Sequence, residues 1–460
     1  MAGAALRPIA ALARDLAQGK TTSRRLVEEA LARITDAGGE GGRAFTKVHA
    51  QGALLAAEAS DRLRKDGVVP SPLAGLPVSI KDLFDIAGDV TTAGSKILRD
   101  RPAAAADAPA VARLRAAGAV VIGRSNMTEF AFSGIGINPH YGTPANPYER
   151  DSRRIPGGSS SGAAVSVSDG MAVFALGTDT GGSVRIPAAL CGVAGFKPTA
   201  ARVPREGAFP LSTTLDSVGP LAPTVACCAT IFQALAGEAP RPPAAAPIAG
   251  MRLGIPKNHM LEDLDVEVTE AFQAAVQRLS RRGAKIVDIV VPEFDEAARA
   301  SVGGGISPPE AYAVHRKWIE RSQDFDPRVL ERIVRGGSVP AADYIDLLAT
   351  RARLAKRFER KSYNVDAMIM PTVPRIAPRI EALERNAETF RAANGNMLRN
   401  ASLVNFLDAC ALTFPIHPPG TAPVGLMVVG FGGEDERVLS AGIAIETALA
   451  YQGPVLVDTR

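Results

Sequence analysis

The chain has 460 residues, 46% of them hydrophobic, which suits a large buried core and argues against a disordered chain. Lysine and arginine total 52 and aspartate and glutamate 48, leaving a formal charge of only +4 with no run of five like charges, so no nucleic-acid partner is expected. Cys191, Cys227, Cys228 and Cys410 form no CxxC pair and no disulfide framework. No apolar stretch approaches the ~18 residues of a membrane span, and Met1 to Lys20 lacks a signal-peptide core, so a cytoplasmic, metal-free protein is expected.

In chain order, residues 5–36 read as helices, with Ser23 as the expected cap of an apolar face at Leu26, Val27, Ala30, Leu31 and Ile34. A second amphipathic helix covers about 53–63. Prolines and glycines at 70–77 break the pattern, and Val78-Ser79-Ile80 follows as a short strand ending at Lys81-Asp82. Residues 110–117 are predicted helical and 119–122 a buried strand. The stretch 134–162 is rich in Gly, Pro, Asn and Ser and reads mostly as loop. A helix at 163–169, a strand at 172–176 and a glycine-rich loop at 178–182 come next. Residues 237–250 read as a surface linker, and strands at 252–256 and 286–291 flank a helix near 266–282 as a βαβ-like unit. Residues 294–365 are helical and charged, with a break at Gly303-Gly304-Gly305. Met368-Ile369-Met370 is the last strong strand, and 434–451 a final helix. This alternation predicts one α/β layer architecture.

Three segments carry chemistry. In Gly75-Leu76-Pro77-Val78-Ser79-Ile80-Lys81-Asp82, a lysine follows an apolar strand. Burial there would disfavour its ammonium and make it a usable base, whereas at the surface it would only cover apolar area with its stem. Pro156-Gly157-Gly158-Ser159-Ser160-Ser161-Gly162 is either a flexible loop or a serine-presenting one. In residues 177–187, Thr180-Gly181-Gly182-Ser183 can turn backbone N–H groups toward one point, as an oxyanion site requires, and Asp179 and Arg185 read as a loop-fixing ion pair.

The combination and its order resemble the amidase signature family. Asn126-Met127-Thr128-Glu129-Phe130-Ala131, Asn146-Pro147, residues 191–199, residues 215–222, Pro371-Thr372 and Pro423-Val424-Gly425-Leu426-Met427 extend the likeness over nearly the whole chain. The resemblance implies one domain over 1–460, with N-terminal helices at 1–65, a catalytic core at 66–235 and a pocket-shaping helical insert at 294–365. It implies a central mixed, twisted sheet covered by helices on both faces. Ser183 is then the nucleophile, Ser159 on a cis peptide the proton relay and Lys81 the base. The N–H groups of Thr180, Gly181, Gly182 and Ser183 form the oxyanion hole, and Ser160, Asp179 and Arg185 support it. No cofactor is implied.

Met127, Ala131, Phe132, Gly134 and Ile135 are the pocket candidates. The loop 132–138 carries no Arg or Lys, so a small, uncharged amide is the expected substrate. A carbamate or ester acted on by the same machinery, and the glutamine-amidase subunit of a tRNA-dependent amidotransferase, are the alternatives. The oligomeric state is open, a homodimer included. Ser161 and Asp408 stand where the family usually has glycine.

Two other readings fare worse. Ser160 formally centres a G-x-S-x-G, but the polar, proline-broken residues before it are not the strand that a nucleophile elbow needs. A catalytically dead binding protein would not be expected to keep Lys81, Ser159 and Ser183 together. Cys191, in an apolar run, reads as a core thiol, and the five histidines, scattered in dissimilar contexts, as non-catalytic.

Overall fold

The computed structural model describes residues 6–449. Its strands are β1 (Phe45–Val48), β2 (Pro77–Lys81), β3 (Val120–Ser125), β4 (Phe174–Asp179), β5 (Ala194–Lys197), β6 (Ser217–Ala222), β7 (Arg252–Pro256), β8 (Lys285–Ile289), β9 (Ala367–Pro371), β10 (Ala411–Pro415) and β11 (Gly425–Val429). They form one mixed sheet in the order β1-β3-β2-β4-β6-β5-β10-β11-β9-β7-β8. The neighbours β3-β2-β4 run parallel at one end and β9-β7-β8 at the other, while the pairs between β4 and β9 are antiparallel.

Strand periodicity distributes the core. Val78, Ile80, Phe174, Leu176, Ile369, Leu412 and Leu426 face one apolar layer, shared with the helices Pro109–Ala116, Val225–Ala236 and Asp435–Ala448. Their alternates face the other side. There Ala175 meets the helices Ser23–Thr35, Ser161–Ser168 and Arg185–Cys191, and Met368, Met370, Met427 and Val429 meet the helices Pro292–Ala300 and Ala387–Phe406. The expected α/β sheet with helices on both faces is therefore what forms.

The same alternation aims Lys81. Ser79, two residues earlier on β2, bonds Ser166 of the helix Ser161–Ser168 at 2.8 Å, so Lys81 points to the face where Ser159 precedes that helix. Because β2 and β4 are parallel, Lys81 and Asp179 end their strands at the same edge of the sheet, where open α/β sheets bind ligands.

Several expectations need correction. Thr22, not Ser23, caps the second helix by accepting from Arg25 N at 3.1 Å; the Ser23 hydroxyl donates instead to Gly75 O. Met368-Ile369-Met370 lies in β9, but β10 and β11 follow it. β1, β5, β6 and the 20-residue helix Ala387–Phe406 were not anticipated. The predicted second βαβ strand ends at Ile289, two residues early. Residue 5 and residues 450–451, at the outer ends of two predicted helices, lie outside the described residues.

Candidate active site

Lys81 is fully buried. Its Nζ lies 2.8 Å from Ser159 Oγ and 2.8 Å from Thr178 Oγ1, with Thr178 O at 3.5 Å. Burial lowers its pKa from 10.5 to about 7, against the opposing pull of Asp179 and Asp216, so a large share of the amine is neutral at neutral pH. The Gly158–Ser159 peptide is cis, and Ser159 O accepts from Thr128 N at 3.0 Å. Ser160 N donates to Ser183 O at 3.3 Å, tying the two serine loops together, and Ser160 Oγ donates to Thr178 O at 3.4 Å.

Ser183 follows β4 and precedes the helix Arg185–Cys191. Its loop is built around Asp179. That carboxylate accepts from Gly182 N (2.8 Å), Val184 N (3.1 Å) and Arg185 Nε (3.1 Å), and Asn405 bridges Asp179 and Arg185. Both members of the pair are fully buried, so it is a structural ion pair and not a solvated turn. Burial alone would raise the Asp179 carboxyl, but Arg185, Lys197 and Asn405 outweigh it and hold the group well below the usual carboxylate range.

The Gly182 N–H is spent on Asp179, which removes it from the expected oxyanion donors; Thr180, Gly181 and Ser183 remain. Position 182 still requires glycine. Its φ is +124°, and a Cβ there would lie 2.6 Å from Ala401 Cβ and Ile186 Cδ1.

In front of Ser183 lies a pocket of about 370 Å³. Of the five candidates, only Ala131 and Phe132 line it. Met127 and Ile135 are core residues, and Gly134 backs the relay loop, its carbonyl accepting from Gly158 N at 2.8 Å. Most of the remaining wall comes from the insert and from the helix Ala387–Phe406, with Leu211 and Leu215 beside them, and it is charged: Arg328, Arg332, Arg335 and Arg391 against Glu331. Arg328 pairs with Asp326 and Arg391 with Glu331. Arg332 bonds Phe132 O and stacks over the Phe132 ring at 4.0 Å, and among the described residues neither it nor Arg335 has a carboxylate at ion-pair distance. Burial and the neighbouring Arg335 lower the Arg332 pKa to about 10, which leaves it charged at neutral pH. The pocket cations come from the insert and from the helix Ala387–Phe406, not from the loop 132–138 on which the expectation of an uncharged substrate rests.

Sequence reasoning also missed Thr178, Asp216, Asn394 and Asn405. The arginines had a legible signal, since positions 328, 332 and 335 follow i, i+4, i+7 and share one face of the helix Pro327–Gly336. Ser161 opens its helix buried, with Oγ 3.5 Å from Asn126 O. Asp408 sits at φ +53°, the left-handed region that explains a family glycine, and accepts from Ala200 N; it does not line the pocket. His49 bonds Asp89, His140 bonds Glu129, and His315 is packed among Phe130, Phe209, Phe325 and Trp318 and hydrogen-bonds no serine among the described residues. Cys191 is a buried thiol with its pKa raised by burial. Among the described residues no cluster of His, Cys, Asp or Glu is arranged to hold a metal, and no helix is long and apolar enough to cross a membrane.

Comparison with known proteins supplies the class of a chain with this buried lysine, these two serine loops and this mixed sheet: an amide-cleaving one. The Amidase family model matches residues 25–439, and the chain belongs to that family, whose members hydrolyse C–N bonds. The 2-amino-5-chloromuconic acid deaminase of Comamonas testosteroni is 39% identical over 409 residues, covering 88% of each chain. A glutamyl-tRNA(Gln) amidotransferase subunit from Chloroflexus aggregans is 36% identical, covering 94% of each. A crystal structure of an amidase superposes with a TM-score of 0.86 at 33% identity, over 96% of this chain and 99% of the other.

Proposed function

We propose that the protein hydrolyses the C–N bond of a small amide bearing a carboxylate, through an acyl-enzyme on Ser183. Ser183 Oγ attacks the carbonyl carbon. Its proton passes to Ser159, whose own proton passes to neutral Lys81. The carbonyl oxygen, now anionic, accepts from the N–H groups of Thr180, Gly181 and Ser183. The C–N bond then breaks, the departing amine takes the proton back from Lys81 through Ser159, and water resolves the ester by the same relay. The observation that carries this reading is the buried Lys81 amine 2.8 Å from Ser159 Oγ, with a pKa of about 7.

The carboxylate is supported by the two pocket arginines that have no carboxylate at ion-pair distance among the described residues, Arg332 and Arg335. A guanidinium binds a carboxylate by charge-assisted, bidentate hydrogen bonds. The relative from Comamonas testosteroni also acts on an acid, by its name. Carbamates and esters offer the same carbonyl to this machinery. A second reading, a glutamine-amidase component of a larger assembly, draws on the likeness to the amidotransferase from Chloroflexus aggregans; an assay of the isolated chain on simple amides separates the two, turnover there being expected under the first reading and its absence under the second.

Fluorophosphonate labelling followed by peptide mapping tests the nucleophile. The label is expected on Ser183, with labelling and turnover both lost in Ser183→Ala while the fold is kept. A label on another residue, or turnover surviving in that variant, defeats the assignment.

A further inference from the structure

Behind the oxyanion loop lies a second cavity of about 230 Å³, which shares Ala131 and Leu211 with the substrate pocket. Thr178, the partner of Lys81, and Asp216 both line it, whereas Asp216 does not line the substrate pocket. Asp216 immediately precedes β6, whose first residue is locked to the end of β4: Ser217 pairs with Asp179, and Ser217 Oγ donates to Asp179 O at 2.7 Å.

The Asp216 carboxylate joins two loops. Oδ1 accepts from Thr180 Oγ1 at 2.5 Å, and Oδ2 accepts from Leu211 N at 3.0 Å and Ser212 N at 3.1 Å. The 211–215 loop contributes Leu211 and Leu215 to the pocket wall, and the insert grips it in turn. Glu310 accepts from Ser212 Oγ, Thr214 Oγ1 and Thr214 N, and from Tyr344 OH at 2.7 Å.

We propose that Asp216 is a positioning residue for the oxyanion loop, fixing the Thr180 side chain so that the Thr180 and Gly181 N–H groups stay aimed at the acyl oxygen. The proposal rests on the Ser183 reading above. Thr180 needs such an anchor because it stands just beyond the end of β4, where ladder hydrogen bonds no longer hold the backbone. An N–H donor stabilises an oxyanion only when it is aimed before charge develops, so a loosened loop lowers the rate without weakening ground-state binding.

Asp216 has an electrostatic consequence that separates this role from simple bracing. The charged groups acting on Lys81 are Asp179 and Asp216, both favouring its ammonium; those acting on Asp216 include Arg205 at the cavity mouth. Removing the Asp216 charge makes the Lys81 amine easier to keep neutral, so activity persists to lower pH. Removing only the Thr180 hydroxyl leaves that charge in place.

The test uses Asp216→Asn, Thr180→Val, Thr180→Ser and the Asn/Val double variant in the full chain, with the mono-p-nitroanilide of succinic acid as probe. For D216N and T180V, kcat is expected to fall about 10–100-fold, less than the about 10²–10³ typical of deleting an oxyanion donor, with KM within about threefold. T180S should recover most of the loss, and the double variant should be no slower than the slower single one. The acid limb of the rate profile should move to lower pH in D216N and stay in place in T180V. Wild-type kcat in either single variant, or losses that multiply in the double variant, overturns the proposal. If D216N does not fold, T180V decides alone by the same criterion. Ser183→Ala run alongside keeps the two readings apart: activity there sinks the nucleophile assignment, whereas a dead Ser183→Ala beside a fully active T180V sinks only the role of Asp216.

Discussion

Replacing Lys81 by methionine should kill the enzyme and make it more stable. An amine with the ordinary pKa of 10.5 is neutral in only about one molecule in 3,000 at pH 7; at about 7, half the molecules carry the working base. Burial therefore supplies about a thousandfold more neutral amine, and the fold bears the cost. The amine binds its proton in the unfolded chain up to pH 10.5 but in the folded chain only up to about 7. Its contribution to stability therefore rises with pH between those values and is at its worst below 7. A shift of this size corresponds to about 5 kcal/mol.

Methionine has a similar length and no charge, so it removes that penalty. It forfeits the hydrogen bonds to Ser159 and Thr178, at about 1 kcal/mol each. The net gain is about 2–3 kcal/mol. For 460 residues the unfolding entropy is about 1 kcal/mol per kelvin, so Tm at pH 7 should rise by about 2–3 °C. Two assays check this: thermal unfolding, and the rate of Ser183 labelling by a fluorophosphonate from pH 5.5 to 9. In the native enzyme the labelling rate should climb with pH and level off above about 7. A rate independent of pH across that range, or full labelling in Lys81→Met, would refute the reasoning.

Other perturbations separate the site's parts. Arg185→Met leaves the Asp179 carboxylate buried without its cation, which typically costs 3–5 kcal/mol, so Tm should fall by about 3–5 °C in a thermal melt at pH 7. Arg332→Gln should cut kcat/KM for the mono-p-nitroanilide of succinic acid about 10–100-fold, the worth of a hydrogen bond to a charged group, and affect uncharged p-nitroacetanilide far less. Equal losses on both probes would show that Arg332 supports the wall and does not read a carboxylate.

The residues proposed for the chemistry were singled out by the combination and order of three local motifs and by the family resemblance those motifs carry, since each motif alone also fitted a plain surface or loop role. Lys81 closes an apolar strand, a place open to burial or to the surface, and the structure buries it; Gly157 and Gly182, beside the two serine loops, take positive φ values that favour glycine. The strands that went unread had a different physical character. β6 contains Gly219 and Pro220, both poor strand formers, yet it lies between β4 and β5, and a Cβ on Gly219 would meet Phe196 O at 2.0 Å. Its strand identity comes from its neighbours and not from its own preferences. The helix Ala387–Phe406 has a weak amphipathic pattern because it is wedged between the pocket and the core, with polar Asn394, Asn400 and Asn405 buried along it.

What the chain order by itself determined is the set of local pieces, a strand ending in lysine and two glycine-flanked serine loops, because a strand end and a glycine turn are built from residues a few positions apart. What only the tertiary structure decided is how those pieces are brought together and held, and which side chains surround them. Arg332 meets Phe132 across 200 positions, Asn405 reaches Asp179 across 226, and Asp216 finds Thr180 across 36. Charges and hydrogen bonds act through distance in space, and no local pattern in the sequence encodes a distance that folding has yet to create.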